Sequence, residues 1–404
     1  MNLRSITGFL SLADPVRDGD LRALRDLIGA ARANFARADF PIQTARVATQ
    51  SLADIAPRDL TRFACDLEAA CQANTIDFAS LGALRGDDPL INAIPSAIAA
   101  TKNVFASAHI ASRDNGINLT ATSNAARVIR QLADSTADGF GNLRFAALAN
   151  VPPHSPFFPA AYHDDGAPAF ALATEAAPLA VDAFSNAKNL DAARADLVAA
   201  IERAGETLAR IADDLAARFG FRFAGIDFSL APYPEEARSV GAAIEKLMGN
   251  KFGEHGTLFA AAFLTDCIHR AKFPRVGFSG VMLPVLEDTT LAARTSLFTL
   301  HSLLLYSTVC GTGLDTVPLP GDTSADALAA ILLDLATLAA KLGKPLTARL
   351  MPIPGLCAGD ETHFDFEYFA GARVMNSNAR AVKVFGTDKY VEFVPRSRGA
   401  EVQG

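Results

Sequence analysis

Residues 191–219 carry Leu197, Ile201, Ala204, Leu208, Ile211 and Leu215 at alternating steps of four and three, which makes one apolar stripe on a long helix. Gly220 follows, where a left-handed residue would end that helix. Phe223, Ile226, Phe228 and Leu230 then read as strand until Pro232 and Pro234 stop it. A one-faced helix delivered directly into an apolar strand is the repeating unit of an α/β fold, and the unit recurs along the chain. A helix is predicted from about Asp20 to Asp39, with Leu21, Leu24, Ile28, Ala31 and Phe35 inward, and another over Glu235–Met248, ended by Gly249. A third starts from a cap at Thr323 or Ser324 and runs to Leu342; Gly343 ends it, and Leu346–Met351 returns as a strand. The opening run Ser5–Ala13, broken by Gly8 and followed by Asp14 and Pro15, reads as a first strand and not as a signal peptide.

With 404 residues the chain can bury a large core or divide into two domains. No repeat and no low-complexity linker divides it, so a single domain over 1–404 is expected, with a peripheral segment from about 380. The net charge of −7 argues against nucleic acid or an anionic membrane as partner, because both demand clustered cations. No charge-free run of about 20 apolar residues is present, so no membrane-spanning helix is expected. The cysteines, Cys65, Cys71, Cys267, Cys310 and Cys357, are odd in number and form no CxxC pair, which suits reduced thiols in a cytoplasm. A role as buried small hydrophobes suffices for four of the five. The softest stretch is Val151–Asp165, where Pro152, Pro153, Pro156 and Pro159 mark a long loop.

Gly, Pro and acidic residues concentrate in five segments: GIDFSLAP (225–232), KFGEHGT (251–257), GFSGVMLPVLED (277–288), CGTGLDTVPLPGDT (310–323) and RLMPIPGLCAGD (349–360). Loops of this kind at strand ends are where a rigid α/β scaffold presents its chemistry. Asp227, Glu287, Asp288 and Asp315 offer oxygen ligands to a hard divalent cation such as Mg²⁺, Ca²⁺ or Mn²⁺, or else serve as turn and cap residues. His255, between glycines, suits a general acid or base, and Cys310, opening a Gly-x-Gly turn, is a nucleophile or a small packed residue. His163, followed by two aspartates in the proline-rich loop, is a catalytic candidate or a solvated turn. Arg349 suits bidentate binding of a carboxylate or phosphate, and Ser229, Ser279 and Asp360 complete the expected substrate contacts. No Gly-x-Gly-x-x-Gly follows a strand and no P-loop ending is present, so no nucleotide cofactor is expected.

Together with NLRSIT at the start, INAIPSAIAAT (91–101), GINLTATSNAARVI (116–129) and Ser239, these segments resemble the domain of unknown function 711 family, also called uncharacterised protein family 0210. The resemblance runs in consistent order from residue 3 to about 375. It implies a ten-stranded α/β barrel similar to that of pyruvate formate-lyase and its glycyl-radical relatives, with an inward loop between two half-barrels; the Cys310 turn is the candidate for that loop. Cys310, His163 and His255 match positions associated with the family. Radical relatives carry a C-terminal Arg-Val-x-Gly motif; here Arg373-Val374-Met375-Asn376 puts asparagine at the radical position, so radical chemistry is not expected. The cysteine that some members carry within the VFASAHIAS segment is absent, Phe105 and Ala106 standing there.

Two functions follow from these residues. One is a non-radical enzyme using metal-assisted acid–base chemistry, as a hydrolase or lyase, on a small polar or anionic metabolite. The other is a metabolite-binding regulatory protein without chemistry. The partner is a small molecule in either case, and association into a homo-oligomer stays open.

Overall fold

The computed structural model of the chain describes residues 1–382 and 389–393. Its strands are β1 (Asn2–Leu10), β2 (Ile42–Ser51), β3 (Phe78–Gly82), β4 (Leu84–Arg85), β5 (Val104–Ser112) and β6 (Gly116–Asn118). They continue as β7 (Phe145–Ala149), β8 (Ala169–Glu175), β9 (Arg222–Asp227), β10 (Gly313–Pro320), β11 (Leu346–Ile353) and β12 (Tyr390–Val391). Helices alternate with them, so the mixed α/β class read from the periodicity is the one observed. The predicted helices stand at Arg22–Arg37, Leu190–Phe219, Val240–Met248 and Ala325–Leu342. The last three end on Gly220, Gly249 and Gly343, each with positive φ. Glu235–Met248 is not one continuous helix: a short 3-10 turn at Glu236–Arg238 precedes Ser239, whose hydroxyl caps the α-helix. Most of the segment expected to be peripheral, from about 380, lies outside the described residues; within it, β12 pairs with β6.

The strands join in the order β10-β11-β7-β5-β3-β2-β1-β8-β9, with β4, β6 and β12 off this path. From β1 through β2, β3 and β5 to β7 every pairing is parallel, as are β8 with β9 and β10 with β11. The two parallel pairs meet the longer group antiparallel, β8 at β1 and β11 at β7. Between the free sides of β9 and β10 lies the segment 275–284, tied by the isolated parallel bridges Ile226↔Arg275, Leu230↔Val281 and Pro284↔Asp315. Glycine is required where this segment passes the Cys310 turn: a Cβ on Gly280 would lie 2.7 Å from the Gly311 Cα.

Period-two alternation divides the sheet's two faces. On β2, Ala45 and Val47 join the main core, which the helices cover, while Ala48 joins a separate cluster with Phe9, Phe105, Phe158, Ala169 and Ala171. The second face is rich in alanine, with Phe9 and Phe105 among the larger side chains, and the aromatic rings of the 151–165 loop pack against it. Of the cysteines, Cys71, Cys267 and Cys310 are buried; Cys65 and Cys357 are exposed, so core packing explains three thiols and not four. Among the described residues no helix is long and apolar enough to cross a membrane.

Candidate functional site

One cavity of about 100 Å³ opens on the alanine-lined face. Its walls come from β1 and β2 (Arg4, Thr44, Arg46), from the ends of β8 and β9 (Thr174, Asp227, Ser229) and from β10 and β11 (Asp315, Arg349). Phe157 and Phe158, from the proline-rich loop, and Tyr368 close the remaining sides. The chain segment that reaches this space is therefore 156–158, and the Cys310 turn expected in that role does not line it.

Arg349 on β11 and Asp315 on β10 stand on neighbouring parallel strands, Nε to Oδ1 at 2.5 Å, and Arg349 Nη2 donates to Glu287 Oε1 at 2.7 Å. The ladder is irregular just here, between Leu314 and Val317, and Thr316 has a φ of 43°. Such a bulge re-aims side chains, and a left-handed β-branched residue is strained, so the geometry around Asp315 is imposed by its surroundings. Burial alone would lower the Arg349 pKa, but Asp315 and Glu287 overcome it and hold the guanidinium charged. Burial and the nearby Glu287 carboxylate leave Asp315 above the ordinary aspartate range although Arg349 pulls it down.

Arg46 is held differently. Its Nε donates to Thr44 Oγ1 at 2.9 Å, and its guanidinium lies over the rings of Phe158 and Phe78, at 5.0 and 5.8 Å from the centroids. Among the described residues no carboxylate lies within ion-pair distance of it. Burial, and next the Arg4 guanidinium, push its pKa down to about 9, so it is still cationic near neutrality. Arg4 itself is shared between Glu175 and Glu287, at 3.6 and 3.7 Å, and donates to the Pro232 carbonyl.

Asp227 lines the cavity, but its oxygens are engaged: one accepts from Ser229 Oγ and the Ser279 amide, the other from the Phe278 amide. Burial raises its pKa against those bonds. Ser279, with a φ of 41°, sits under this loop and does not reach the cavity, whereas Ser229 does. Asp288 lies outside the lining. It accepts from Ser239 Oγ and from the amides of Val240, Gly241, Thr290 and Leu291, capping two helices at once. Burial raises its pKa too.

Of the four carboxylates read as cation ligands, Asp227 and Asp288 thus have both oxygens on protein donors, while Asp315 Oδ1 and Glu287 Oε1 accept from Arg349. Among the described residues, the only three or more His, Cys, Asp or Glu side chains with ligand atoms within 4.8 Å of one another are His154, His163 and Asp164. Asp227, Glu287, Asp288 and Asp315 form no such group.

The other expected residues are scattered. His255 is exposed beside the helix Thr257–Arg270. Cys310 is buried, packed where Gly311 donates to the Val281 carbonyl, and its own carbonyl accepts from Lys344 Nζ. Asp360 is exposed and closes a turn through the Cys357 amide. His163 is buried in the proline-rich loop. Arg349, Ser229, Asp227, Glu287 and Asp315 are brought together. Arg4, Arg46 and Tyr368 were missed; the one signal for the arginines was a charge inside an otherwise uncharged strand.

Over residues 1–372 the chain matches the profile of a family described as Uncharacterised ACR (DUF711). It is 36% identical over 295 residues to a UPF0210 protein of Pyrobaculum aerophilum, a match covering 70% of this chain and 64% of that one. A UPF0210 protein of Halothermothrix orenii is 31% identical over 403 residues, covering 90% and 88% of the two chains. One from Methanococcoides burtonii is 30% identical over 374 residues, covering 87% and 81%. The chain thus spans about 64% of the length of the Pyrobaculum relative.

Proposed function

This chain belongs to the uncharacterised DUF711 family, and from its cavity we propose an enzyme that binds a small anionic metabolite on Arg46 and performs acid–base chemistry on it. The observation that carries the reading is the Arg46 guanidinium: charged, facing an enclosed space, and matched by aromatic faces and a hydroxyl instead of a carboxylate. A cation partly withdrawn from water and left without a counter-charge costs free energy, and an anionic ligand supplies the missing partner. Arg349 cannot play this part, because Asp315 and Glu287 already occupy its fork.

Across the same cavity, Asp315 and Glu287 share Arg349, and two carboxylates in one site favour a proton on one of them. A carboxyl raised above its ordinary range takes up a proton more readily than a free aspartate, which suits the acid–base steps of hydrolase or lyase chemistry. In this reading Asp315 moves the proton, Arg46 holds the anion, and Arg4 fixes the acidic wall; His255 and Cys310 take no part. The sheet is read as a closed ten-stranded barrel, with 275–284 as the strand between β9 and β10 and β4, β6 and β12 outside the circuit. The three isolated bridges and the antiparallel junctions between two parallel halves support that closure.

The test begins with small molecules released on denaturing the purified protein and identified by mass spectrometry. A panel of small carboxylates and inorganic phosphate in thermal-shift assays stands in if none is retained. An anion bound by the wild type and lost from Arg46→Met supports the reading; equal binding by both, or selection of neutral molecules only, overturns it. Turnover of that anion by the wild type but not by Asp315→Asn identifies an enzyme, whereas an anion returned unchanged identifies a binding protein.

A further inference from the structure

The loop between β7 and β8 holds a second group of chemistry-bearing side chains, apart from those that line the cavity. His154 Nε2 lies 3.0 Å from His163 Nδ1, and Asp164 Oδ1 lies 3.2 Å from the first and 3.4 Å from the second. Three donor atoms at these separations form a nearly equilateral triangle. A tetrahedral ion with ligands at about 2.0–2.1 Å sets neighbouring ligand atoms roughly 3.3–3.4 Å apart, so the triangle matches one face of such a tetrahedron to within a few tenths of an ångström.

The protons are arranged to suit. His163 Nε2 is 3.1 Å from the Gly166 carbonyl oxygen, which can only accept, so that nitrogen carries the hydrogen and Nδ1 turns its lone pair to the triangle. A ligating imidazole is held this way, its second N–H spent on a carbonyl. Both imidazoles are buried, so each ring is held in place by its surroundings. Asp164 is partly exposed, which leaves a path for an ion and supplies a compensating charge. The loop backbone fixes both rings: the His154 amide donates to the Tyr162 carbonyl and the His163 amide to the Thr49 carbonyl on β2, each at 2.9 Å. His154 itself has a φ of 62°, a conformation a non-glycine residue keeps only when its surroundings demand it.

We infer that His154, His163 and Asp164 hold a divalent transition-metal ion, Zn²⁺ being the best match to two imidazoles and one carboxylate, with water at the fourth vertex. Between its first and second ligands the chain runs through Pro156, Phe157 and Phe158, the cavity's loop wall. The ion therefore ties that wall to β2, and it stands whether or not Arg46 binds an anion. One group opposes it. Arg222 Nη2 is 3.3 Å from Nε2 and 3.5 Å from Nδ1 of His154. Near-equal distances to both nitrogens put the guanidinium over the ring face, so it occupies no ligand position but weakens cation binding by repulsion.

The full-length chain, stripped with a chelator, is titrated with Zn²⁺ by calorimetry and with Co²⁺ by visible absorption. The expected result is about one equivalent bound, an intense Co²⁺ spectrum of four-coordinate type, and a higher melting temperature. Asp164→Ala, at a partly exposed position that leaves the core untouched, weakens Zn²⁺ by at least about tenfold, and His154→Ala/His163→Ala abolishes uptake. Arg222→Gln tightens binding severalfold. No uptake by the wild type overturns the inference, because the three side chains are then only a hydrogen-bonded cluster. Uptake unchanged in both Asp164→Ala and the double histidine variant overturns it equally.

Discussion

Arg349 and Arg46 face the same cavity, yet the strands beneath them treat the two charges in opposite ways. Arg349 is built into β11 beside Asp315 on β10 and reaches Glu287, so two carboxylates neutralise it and its pKa rises, with the Phe157 ring below its guanidinium. Arg46 stands on β2 among Thr44, Phe78 and Phe158, and its pKa falls. One guanidinium is part of the wall and the other is offered to whatever enters. A buried ion pair says little about function, because it is complete without a ligand. A partly buried cation matched only by a hydroxyl and π faces is incomplete, and that incompleteness is what points to an anion.

The comparison breaks first at Arg349. Removing one member of a buried ionic group leaves the others charged and unpaired, which costs about 3–5 kcal/mol. Arg349→Met is therefore expected to lower unfolding stability by about that amount in denaturant titrations, the largest single effect among the cavity residues. A loss under about 1 kcal/mol would mean that Asp315 and Glu287 do not depend on Arg349, and the distinction between the two arginines would fail.

The same variant sharpens the comparison through pH. Burial and Glu287 hold the folded Asp315 above the ordinary aspartate value. Between the unfolded and folded values the native state carries the extra proton, so stability falls as pH rises through that window. Arg349 is the charge that pulls Asp315 down, and its removal extends the window upward. The deficit of Arg349→Met relative to the wild type is expected to shrink on acidification, as read from denaturant titrations at a series of pH values. A deficit that grows on acidification would assign the wrong sign to Asp315.

How much of this was legible from residues alone depends on what each position reports. The helices ending at Gly220, Gly249 and Gly343 were, because a 3.6-residue stripe and a left-handed terminus are local properties. Asp227, Glu287, Asp315 and Arg349 stood out because polar residues at strand ends have few structural reasons to be there. Asp288, of the same composition, turned out to cap two helices, which depends on Ser239 and Val240, some 50 residues earlier in the chain. His255 read as functional because a histidine between glycines looks the same whether its loop faces a cavity or water. Arg4 and Arg46 escaped because inward and outward positions along a strand are set by pairing register, which no single segment contains. His154 escaped for a related reason: only the fold-back of the proline-rich loop brings it against His163.

The smallest effect expected is also the one that most separates the two arginines. Replacing Arg46 by Met removes two cation–π contacts, about 0.5–1 kcal/mol each, and one hydrogen bond of about 1 kcal/mol. It also removes the desolvation cost of an unpaired charge, several kcal/mol for a fully dry site and less where the cavity admits water. The opposing terms are of similar size, and methionine keeps the apolar stem against Phe158. Arg46→Met is therefore expected to unfold within about 1 kcal/mol of the wild type, on the stabilised side when no anion is present. Addition of the cognate anion should then stabilise the wild type and leave the variant unmoved, because the increment follows ligand concentration over Kd. A loss of more than about 2 kcal/mol in the unliganded variant would make Arg46 a structural cation like Arg349, and would remove the reason for expecting an anion in this cavity.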